Sequence, residues 1–496
     1  MTGSSSPDAA PASTLAPVAD TLPVSVQSAL RRYWGFSQLR SPQADVIRAL
    51  LRGRDALVVL PTGFGKSLCF QLPAIVQSGT TLVISPLIAL MEDQAMGLRQ
   101  RWLMAEALHG QCDRQRKRRI LSQLEQGQLA LLYLSPEMLL HSSVWRRLQQ
   151  SSVKIAGTII DEAHTVAEWG QSFRPAYMRL GAIRRGLGQR FSVSAFTATA
   201  NGEIQTVLQD VLELQNPLVI RASPRRENIR ISVKIAWTVA GRRKQLMDFV
   251  RHHRGHTGLV YCRTRELCQE LAEMLSGNGL STAAYHGGVG CEQRRQLEQQ
   301  WLAGDRDFLV CTNAFGMGVD CARVRWVIHF QPPANVTDYV QEIGRAGRDG
   351  QPANTLMLVS EPTGLLDSSD RQRWQYMQRQ QIEAEQQARR LLPHLPERGT
   401  YDDAVQQSST HALSLAVLRR SGDIRWDDPF QFSRTTSSRS TPAFGTKHKR
   451  RSPQDRASSI QAFIGSKQCR WQAIETTLGY NASHPCKVCD NCRAYA

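Results

Sequence analysis

A phosphate-binding loop is the first chemical feature of the chain. Residues 60–67 read Leu-Pro-Thr-Gly-Phe-Gly-Lys-Ser and close an apolar, strand-like run. Gly63 and Gly65 let the backbone turn its N–H groups toward phosphate oxygens, and the helix that follows adds its positive end. Lys66 can reach the β- and γ-phosphates of a nucleotide, and the Ser67 hydroxyl can hold Mg²⁺. Taken alone, the loop could also be an ordinary Gly-rich turn.

A pair of carboxylates supplies the second half of such a site. Asp161 and Glu162 follow the apolar run Ile155 to Ile160. Open α/β sheets present their ligands at the carboxyl ends of strands. We expect Asp161 to hold Mg²⁺ through its water shell and Glu162 to orient and deprotonate the attacking water. The alternative, a solvated strand end, is disfavoured by the phosphate loop that precedes the pair in the chain.

Two arginines, Arg345 and Arg348, come much later in the sequence. Their spacing predicts that both lie on one helical face, where they could neutralise charge on a transferring phosphoryl group. Their distance from Lys66 along the chain predicts a second domain, with the nucleotide bound in the cleft between the two. The alternative is an exposed basic helix.

A cysteine cluster closes the chain. Cys486, Cys489 and Cys492 follow Cys469 after sixteen intervening residues. Four thiolates suit tetrahedral Zn²⁺. The Cys-x₂-Cys-x₂-Cys spacing also begins a ferredoxin-like iron–sulfur pattern, so both metals remain open from spacing alone.

The elements that must position these residues alternate between strand and helix signals. This alternation predicts a parallel sheet wound with helices. We predict one such unit over residues 24–218 and a second over residues 219–362. Strand candidates in the first unit are Leu57–Leu60, Thr81–Ser85, Leu129–Leu134, Ala156–Ile160 and Phe191–Phe196, and those in the second are Gly258–Tyr261, Phe308–Cys311 and Val324–Phe330.

The region after the two units is predicted to be helical over residues 363–432. The polar stretch Asp370 to Leu392 reads as a helical hairpin on the motor or as a solvated linker helix. Residues 411–432 read as an apolar helix followed by a short hairpin, which fits either a winged-helix-like module or a packing extension. Residues 433–456 read as a basic flexible linker that could touch phosphates, and residues 457–496 as the metal-binding subdomain.

Composition narrows the class of partner. The chain has 496 residues and a net charge of +18. This charge fits a polyanionic partner, although membranes or plain solubility could also explain it. The sequence has no apolar run of about 18 residues, so no transmembrane helix and no membrane partner are predicted. Residues 1–23 read as a disordered tail. Scattered cysteines in apolar runs read as reduced thiols of a cytoplasmic protein.

The motifs together resemble those of superfamily 2 helicases, and specifically the RecQ family of DNA helicases. The stretch Trp169 to Tyr177 resembles the aromatic-rich loop that distinguishes RecQ helicases from RNA-directed relatives. The motifs that carry the resemblance, in chain order, are residues 39–43, 61–67, 85–94, 161–164, 196–200, 285–288, 315–320 and 341–350.

The resemblance implies an α/β fold of two RecA-like P-loop NTPase lobes followed by a helical and zinc-binding C-terminal region. It implies ATP, Mg²⁺ and Zn²⁺ as cofactors, 3′→5′ movement on single-stranded DNA, unwinding of duplex DNA in recombination and repair, a monomer, and a bacterial cytoplasmic or nucleoid location. The residues it assigns are Lys66, Asp161, Glu162, His164, Gln341, Arg345 and Arg348 for catalysis; Phe36, Arg40, Gln43, Thr62, Gly63, Gly65, Lys66 and Ser67 for ATP; Trp169, Phe173 and Arg174 for DNA coupling; and Cys469, Cys486, Cys489 and Cys492 for zinc.

The chain also departs from the family pattern. In the adenine-recognition motif, Leu39 and Ser41-Pro42 replace the usual Phe and Pro-Gly, while Gln43 remains to bond the adenine edge. Only four residues follow Cys492, so the winged-helix and HRDC domains of many RecQ proteins are not expected in their usual places. The resemblance therefore supports duplex unwinding less strongly than ATP hydrolysis. The alternatives are an RNA helicase, against which Trp169 and Phe173 argue, and a DNA-binding scaffold with weak ATPase activity.

Overall fold

The computed structural model describes residues 22–167, 174–315, 321–408, 410–435 and 454–494. The predicted N-terminal tail lies outside the described residues up to residue 21, and so does most of the predicted basic linker, residues 436–453. Within the described ranges, no helix combines the length and the apolar character that crossing a membrane requires.

The first unit, here called lobe 1, is a parallel sheet wound with helices. Its described strands are β1 (Ala56–Val59), β2 (Thr80–Ile84), β3 (Ala105–Leu108), β4 (Leu131–Leu134), β5 (Ile155–Ile160), β6 (Ser192–Thr197) and β7 (Leu218–Arg221). They lie in the order β3-β4-β2-β5-β6-β1-β7, and every pair is parallel. Because β6 lies between β5 and β1, the carboxyl ends of these three strands are neighbours.

Helices cover both faces of this sheet, which explains why its central strands are apolar throughout rather than alternating. The described α-helices are α1 (Val24–Ala29), α2 (Gln43–Leu51), α3 (Lys66–Val76), α4 (Ile88–Arg99), α5 (Arg114–Glu125), α6 (Pro136–Leu139), α7 (Ser142–Leu148), α8 (Ile183–Leu187) and α9 (Gly202–Val211). A π-helical turn (Leu30–Trp34) and two 3₁₀ segments (Ala163–Val166 and Pro175–Ala182) complete the lobe.

The second unit, lobe 2, repeats the design. Its described strands are β8 (Ile229–Ala236), β9 (Gly258–Tyr261), β10 (Thr282–Tyr285), β11 (Phe308–Cys311), β12 (Trp326–His329) and β13 (Ala353–Ser360), in the parallel order β10-β11-β9-β12-β13-β8. Its helices are α10 (Val239–His252), α11 (Arg265–Gly277), α12 (Cys291–Ala303) and α13 (Val336–Ile343). The predicted fold class of two such lobes with a helical C-terminal region is confirmed.

The predicted boundary between the lobes, at residues 218 and 219, is wrong by a few residues. It falls inside β7, which pairs with β1 and therefore belongs to lobe 1. The residues of this edge strand alternate between half-buried and exposed. Its apolar run, residues 218–220, is shorter than the stretch of about four to eight residues that indicates a strand, so the sequence did not reveal it.

Residues 369–434 form a separate unit, here called the helical module. Its elements are α14 (Ser369–Leu391), a 3₁₀ turn (Leu392–His394), β14 (Arg398–Thr400), α15 (Tyr401–Gln406), α16 (His411–Ser421), β15 (Ile424–Asp428) and β16 (Gln431–Arg434). The strands form an antiparallel sheet in the order β14-β16-β15. The sequence of helix, strand, two helices and hairpin is the element order of a winged helix.

The described structure corrects two expectations for this region. The stretch Asp370 to Leu392 is not a hairpin, because α14 runs through it as one helix. It is also more than a solvated linker, because Ala384, Ala388 and Leu391 bury their side chains in the core of the helical module. The linker predicted from residue 433 begins later, since β16 extends to Arg434.

The C-terminal subdomain contains α17 (Gln454–Gly465), α18 (Arg470–Thr477) and α19 (Asp490–Ala494). It packs on β8, an edge strand of lobe 2. The Trp471 indole N–H donates to the Ile229 carbonyl oxygen at 3.1 Å, and the Asp490 carboxylate accepts from the Val233 N–H at 2.8 Å. These bonds satisfy main-chain groups that an uncovered edge would leave to solvent.

Candidate functional site

The phosphate loop joins β1 to α3. Gly63 and Gly65 have φ values of +86° and +74°, in the left-handed region that favours glycine. A Cβ atom at Gly65 would lie 2.6 Å from Nε2 of Gln43, so a larger residue would also collide. The Lys66 ammonium donates to the Leu60 carbonyl oxygen at 3.2 Å, which holds it across the mouth of the loop.

Gln43 ties the predicted adenine-recognition segment to this loop. Its Oε1 accepts from the Arg40 N–H at 2.9 Å, and its Nε2 donates to the Phe64 carbonyl oxygen at 2.8 Å. Phe36 and Arg40 are exposed and so accessible to a stacking partner. Because the main chain engages both ends of the Gln43 amide, its bond to an adenine edge stays a prediction.

The two carboxylates lie at the carboxyl end of β5. Asp161 accepts from the Glu162 N–H at 3.0 Å, and Glu162 takes a left-handed backbone conformation with φ of +48°. Burial, together with the neighbouring Glu162 carboxylate, raises the pKa of Asp161 to about 7, although Lys66 opposes this shift. A cation in addition to Lys66 would stabilise the ionised Asp161 carboxylate. The oxygen ligands of Asp161 and Ser67 therefore fit Mg²⁺.

His164 connects the two lobes. It is buried, and its Nδ1 lies 3.0 Å from the Thr197 hydroxyl at the end of β6. The Thr197 hydroxyl also contacts the Thr199 carbonyl oxygen, at 3.1 Å. The amide nitrogen of Gln341 in lobe 2 lies 3.2 Å from both ring nitrogens of His164. Burial lowers the pKa of His164, which favours the neutral ring.

Gln341 reaches lobe 1 because its neighbour anchors α13 to lobe 2. The Glu342 carboxylate accepts two bonds from the Arg263 guanidinium, both at 2.8 Å, and one contact of 2.8 Å from His329. Burial would raise the pKa of Glu342, but these partners lower it to about 2. Glu342 is therefore ionised, and its ion pair with Arg263 fixes helix α13 in lobe 2. The adjacent residue of this helix, Gln341, contacts His164 of lobe 1.

The two predicted arginines do not share a helical face. Helix α13 ends at Ile343, and Gly347, with φ of +58°, turns the chain between Arg345 and Arg348. Both arginines border the same closely packed region of lobe 2, which also contains Trp301 and Phe315. Glycines break the helix at this point, and the predicted arrangement on a helix is wrong. Their proposed role toward a phosphoryl group stays a prediction.

Arg226 is a cation that the sequence reasoning did not identify. It lines the cleft between the lobes together with Thr62, Gln341 and Gly344. Its guanidinium donates to the Gly347 carbonyl oxygen and to Asn228. No motif marks it, because its place in the cleft depends on how the linker between the lobes folds back. Thr197 and Thr199 belong to the motif at residues 196–200, but the sequence alone suggested no role for them.

The four predicted zinc ligands come together. The Sγ atoms of Cys469, Cys486, Cys489 and Cys492 all lie within 4.8 Å of one another. Tetrahedral zinc with Zn–S bonds of about 2.3 Å places its sulfurs about 3.8 Å apart, so the cluster fits this ion. Main-chain N–H groups of Cys486 and Cys489 donate to Sγ of Cys469 and of Cys486 at 3.2 and 3.3 Å, which favours thiolates.

Of the predicted DNA-coupling residues, Trp169 and Phe173 lie outside the described residues. Arg174 is described, and its guanidinium contacts the Glu137 carboxylate at 3.2 Å. The pair is substantially exposed, so its contribution to stability is small. The predicted coupling role of all three residues stays a prediction.

Known proteins share this arrangement of motifs. Residues 40–207 match the DEAD/DEAH box helicase family, and residues 241–350 match the helicase conserved C-terminal domain. The chain is 46% identical to the ATP-dependent DNA helicase RecQ of Synechocystis sp. over 94% of this chain and 98% of that protein. It is 38% identical to the RecQ protein of Haemophilus influenzae over 67% of this chain and 52% of that protein.

A solved structure extends the likeness in fold. The Mycobacterium smegmatis helicase Lhr, bound to single-stranded DNA and AMP-PNP, superposes with a TM-score of 0.56 and 20% identity. The match covers 83% of this chain and 60% of that one.

Proposed function

The chain belongs to the RecQ family of ATP-dependent DNA helicases, and we propose that it hydrolyses ATP between its two lobes in order to move along single-stranded DNA and unwind duplex DNA. One observation carries the proposal. Gln341 of lobe 2 bonds His164 of lobe 1, directly beside Glu162. Closing and opening of the cleft can therefore act on the hydrolysis residues themselves.

Each residue of the cleft has a proposed part in hydrolysis. Lys66 would leave the Leu60 carbonyl and contact the β- and γ-phosphates, and Ser67 and Asp161 would hold magnesium, which would neutralise charge on the phosphates. Glu162 would accept a proton from the attacking water. His164 lies between Glu162 and Gln341, so a movement of Gln341 would shift His164 relative to Glu162.

The arginines complete the proposed site from lobe 2. Arg345 and Arg348 would turn toward the phosphates on closure and stabilise the developing charge, and Arg226 already lines the cleft beside Thr62. Gln43, Phe36 and Arg40 would select adenine.

The C-terminal subdomain is proposed to hold one structural Zn²⁺ through Cys469, Cys486, Cys489 and Cys492. Arg470 supports this knuckle, because its guanidinium bonds the Asp490 carboxylate at 2.9 and 3.0 Å and several main-chain carbonyls of α17 and the turn after it. Asp490 in turn bonds β8 of lobe 2. Zinc would therefore stabilise both the knuckle and its attachment to the motor.

Single-stranded DNA is proposed to cross both lobes and to be held mainly through its phosphates, so that affinity falls with salt. Movement in the 3′→5′ direction, a part in recombination and repair, a monomeric state and a cytoplasmic location are proposals that rest on the family alone.

The test compares ATP hydrolysis with single-stranded DNA, with RNA and without polymer. We expect strong stimulation by DNA and weak stimulation by RNA. Lys66→Ala and Glu162→Gln should each lower turnover by orders of magnitude, and the Glu162 variant should still bind ATP. Stimulation by RNA alone would indicate an RNA helicase, and DNA binding without hydrolysis would indicate a scaffold.

Unwinding is then measured on 3′-tailed, 5′-tailed, forked, four-way and blunt duplexes. Separation of the 3′-tailed duplex but not of the 5′-tailed one is expected. The opposite preference would contradict the proposed direction.

A further inference from the structure

The helical module is attached to lobe 2 at one end. Its first helix, α14, begins at Ser369, where the buried Arg242 guanidinium of α10 pairs with Asp367 and Asp370, both at 3.0 Å. Arg373 also donates to the Pro332 carbonyl oxygen of lobe 2. A buried, paired charge is costly to separate, so this end of α14 is firmly held.

The other end of the module packs on lobe 1. Ala416 of α16 lies within the apolar core of that lobe, and the neighbouring Arg419 bonds Asp210 of α9. The tip of the hairpin between β15 and β16 also enters lobe 1, where the Phe430 ring lies 5.3 Å from the Trp145 ring. A Cβ atom at Gly186 would lie 2.6 Å from Pro429, so the tip fits against a glycine.

The module packs on lobe 1 through the surface with which winged-helix and helix-turn-helix domains usually bind duplex DNA. In helix-turn-helix proteins the recognition helix enters the major groove. Here residues 414 to 419 of α16, the helix in that position, are all buried. The module is therefore built into the motor, and its third helix is not free to enter a groove.

Two contacts of the module reach the part of lobe 1 that follows the catalytic carboxylates in the chain, one at Ala167 and one at Arg179. The Arg420 guanidinium of α16 donates to the Ala167 carbonyl oxygen at 3.0 Å. Twelve residues later in the chain, the buried Arg179 guanidinium donates to the Pro429 carbonyl oxygen and lies 3.7 Å from the centre of the Tyr401 ring.

Ala167 is directly connected to the hydrolysis residues. It ends the 3₁₀ segment Ala163–Val166, and its N–H donates to the His164 carbonyl oxygen at 2.9 Å. His164 in turn lies 3.4 Å from Glu162 and bonds Gln341. A short chain of contacts therefore runs from α16 to the residue that is proposed to activate water.

We propose that Arg420 is a positioning residue for ATP hydrolysis. Through Ala167 it holds the 3₁₀ segment that carries His164, and it does so from a module that is anchored on lobe 2 and packs on lobe 1. This inference rests on the proposed DNA-dependent ATPase. It assigns the module a role in positioning the hydrolysis residues rather than in binding duplex DNA.

The test uses the full chain. Arg420→Met keeps the apolar length of the side chain and removes its N–H donors, Arg420→Ala removes both, and Arg420→Lys restores a donor. Loss of one such bond should lower turnover about three- to tenfold, with and without single-stranded DNA. KM for ATP and affinity for single-stranded DNA should change less than twofold, and the Lys variant should recover most of the turnover.

Arg419→Ala is the matched control, because it removes the neighbouring docking contact on the same helix without touching Ala167. We expect it to lower Tm while sparing turnover. Three results would overturn the inference: wild-type turnover in the Met and Ala variants, an equal loss of turnover in the Arg419 control, or weakened binding of a blunt duplex with unchanged turnover. A wild-type chain that no DNA stimulates would instead refute the proposed function.

Discussion

The contact between Gln341 and His164 makes the sharpest prediction about this motor. Gln341→Ala removes an amide whose nitrogen lies 3.2 Å from His164 Nε2 and 3.4 Å from the Thr199 hydroxyl. It joins the two lobes at the site of hydrolysis. The predicted result is a lower turnover with an unchanged capacity to bind ATP, because the phosphate loop lies wholly in lobe 1.

The size of the effect follows from the bonds that are lost. Each is worth about 0.5–1.5 kcal/mol net, so two contribute about 1–3 kcal/mol to the closed cleft. Since 1.36 kcal/mol corresponds to a tenfold change in rate, DNA-stimulated kcat should fall by roughly 5- to 150-fold. Nucleotide affinity, measured by fluorescence of a bound ATP analogue, should change less than threefold.

A double-mutant cycle separates this contact from general damage. If Gln341 acts through His164, then Gln341→Ala should cost far less in a His164→Ala background than in the wild type. Gln245→Ala is a matched control in lobe 2, since it removes one exposed glutamine bond to the Ile235 carbonyl oxygen. A Gln341→Ala enzyme within twofold of wild type, or strictly additive losses in the cycle, would refute the reasoning.

Three further predictions concern the metal, the buried carboxylate and DNA coupling. The purified chain should carry about one zinc ion by elemental analysis, and Cys489→Ser should lose it and lower Tm; iron with a brown colour would instead indicate a cluster. Because burial raises the pKa of Asp161 to about 7, folding stability falls as pH rises from about 4 to about 7, so Asp161→Asn should raise the Tm of nucleotide- and Mg²⁺-free protein more at pH 8 than at pH 5. An equal gain at both pH values would contradict this. Trp169→Ala should keep basal ATPase and lose most of its stimulation by single-stranded DNA, since base stacking is worth roughly 1–3 kcal/mol per base; a stable variant with full stimulation would rule out this residue as the sensor.

Features that depend on residues close together in the chain were predictable from the sequence. The phosphate loop needs two glycines, a lysine and a serine in fixed order after a strand, and these are adjacent in the chain. The apolar runs predicted the interior strands of both sheets to within two residues, except β13 of lobe 2, which was not predicted. The spacing of Cys486, Cys489 and Cys492 likewise brings three thiols together locally, which left only Cys469 to be supplied by the fold.

Contacts between residues far apart in the chain could be found only in the folded structure. Edge strand β7 and the single long helix α14 owe their places to packing partners rather than to their own patterns. The bonds from Gln341 to His164 and from Arg420 to Ala167 join residues that are 177 and 253 positions apart. No local periodicity encodes such contacts, because they depend on how the lobes and the helical module dock, and docking is set by whole buried surfaces.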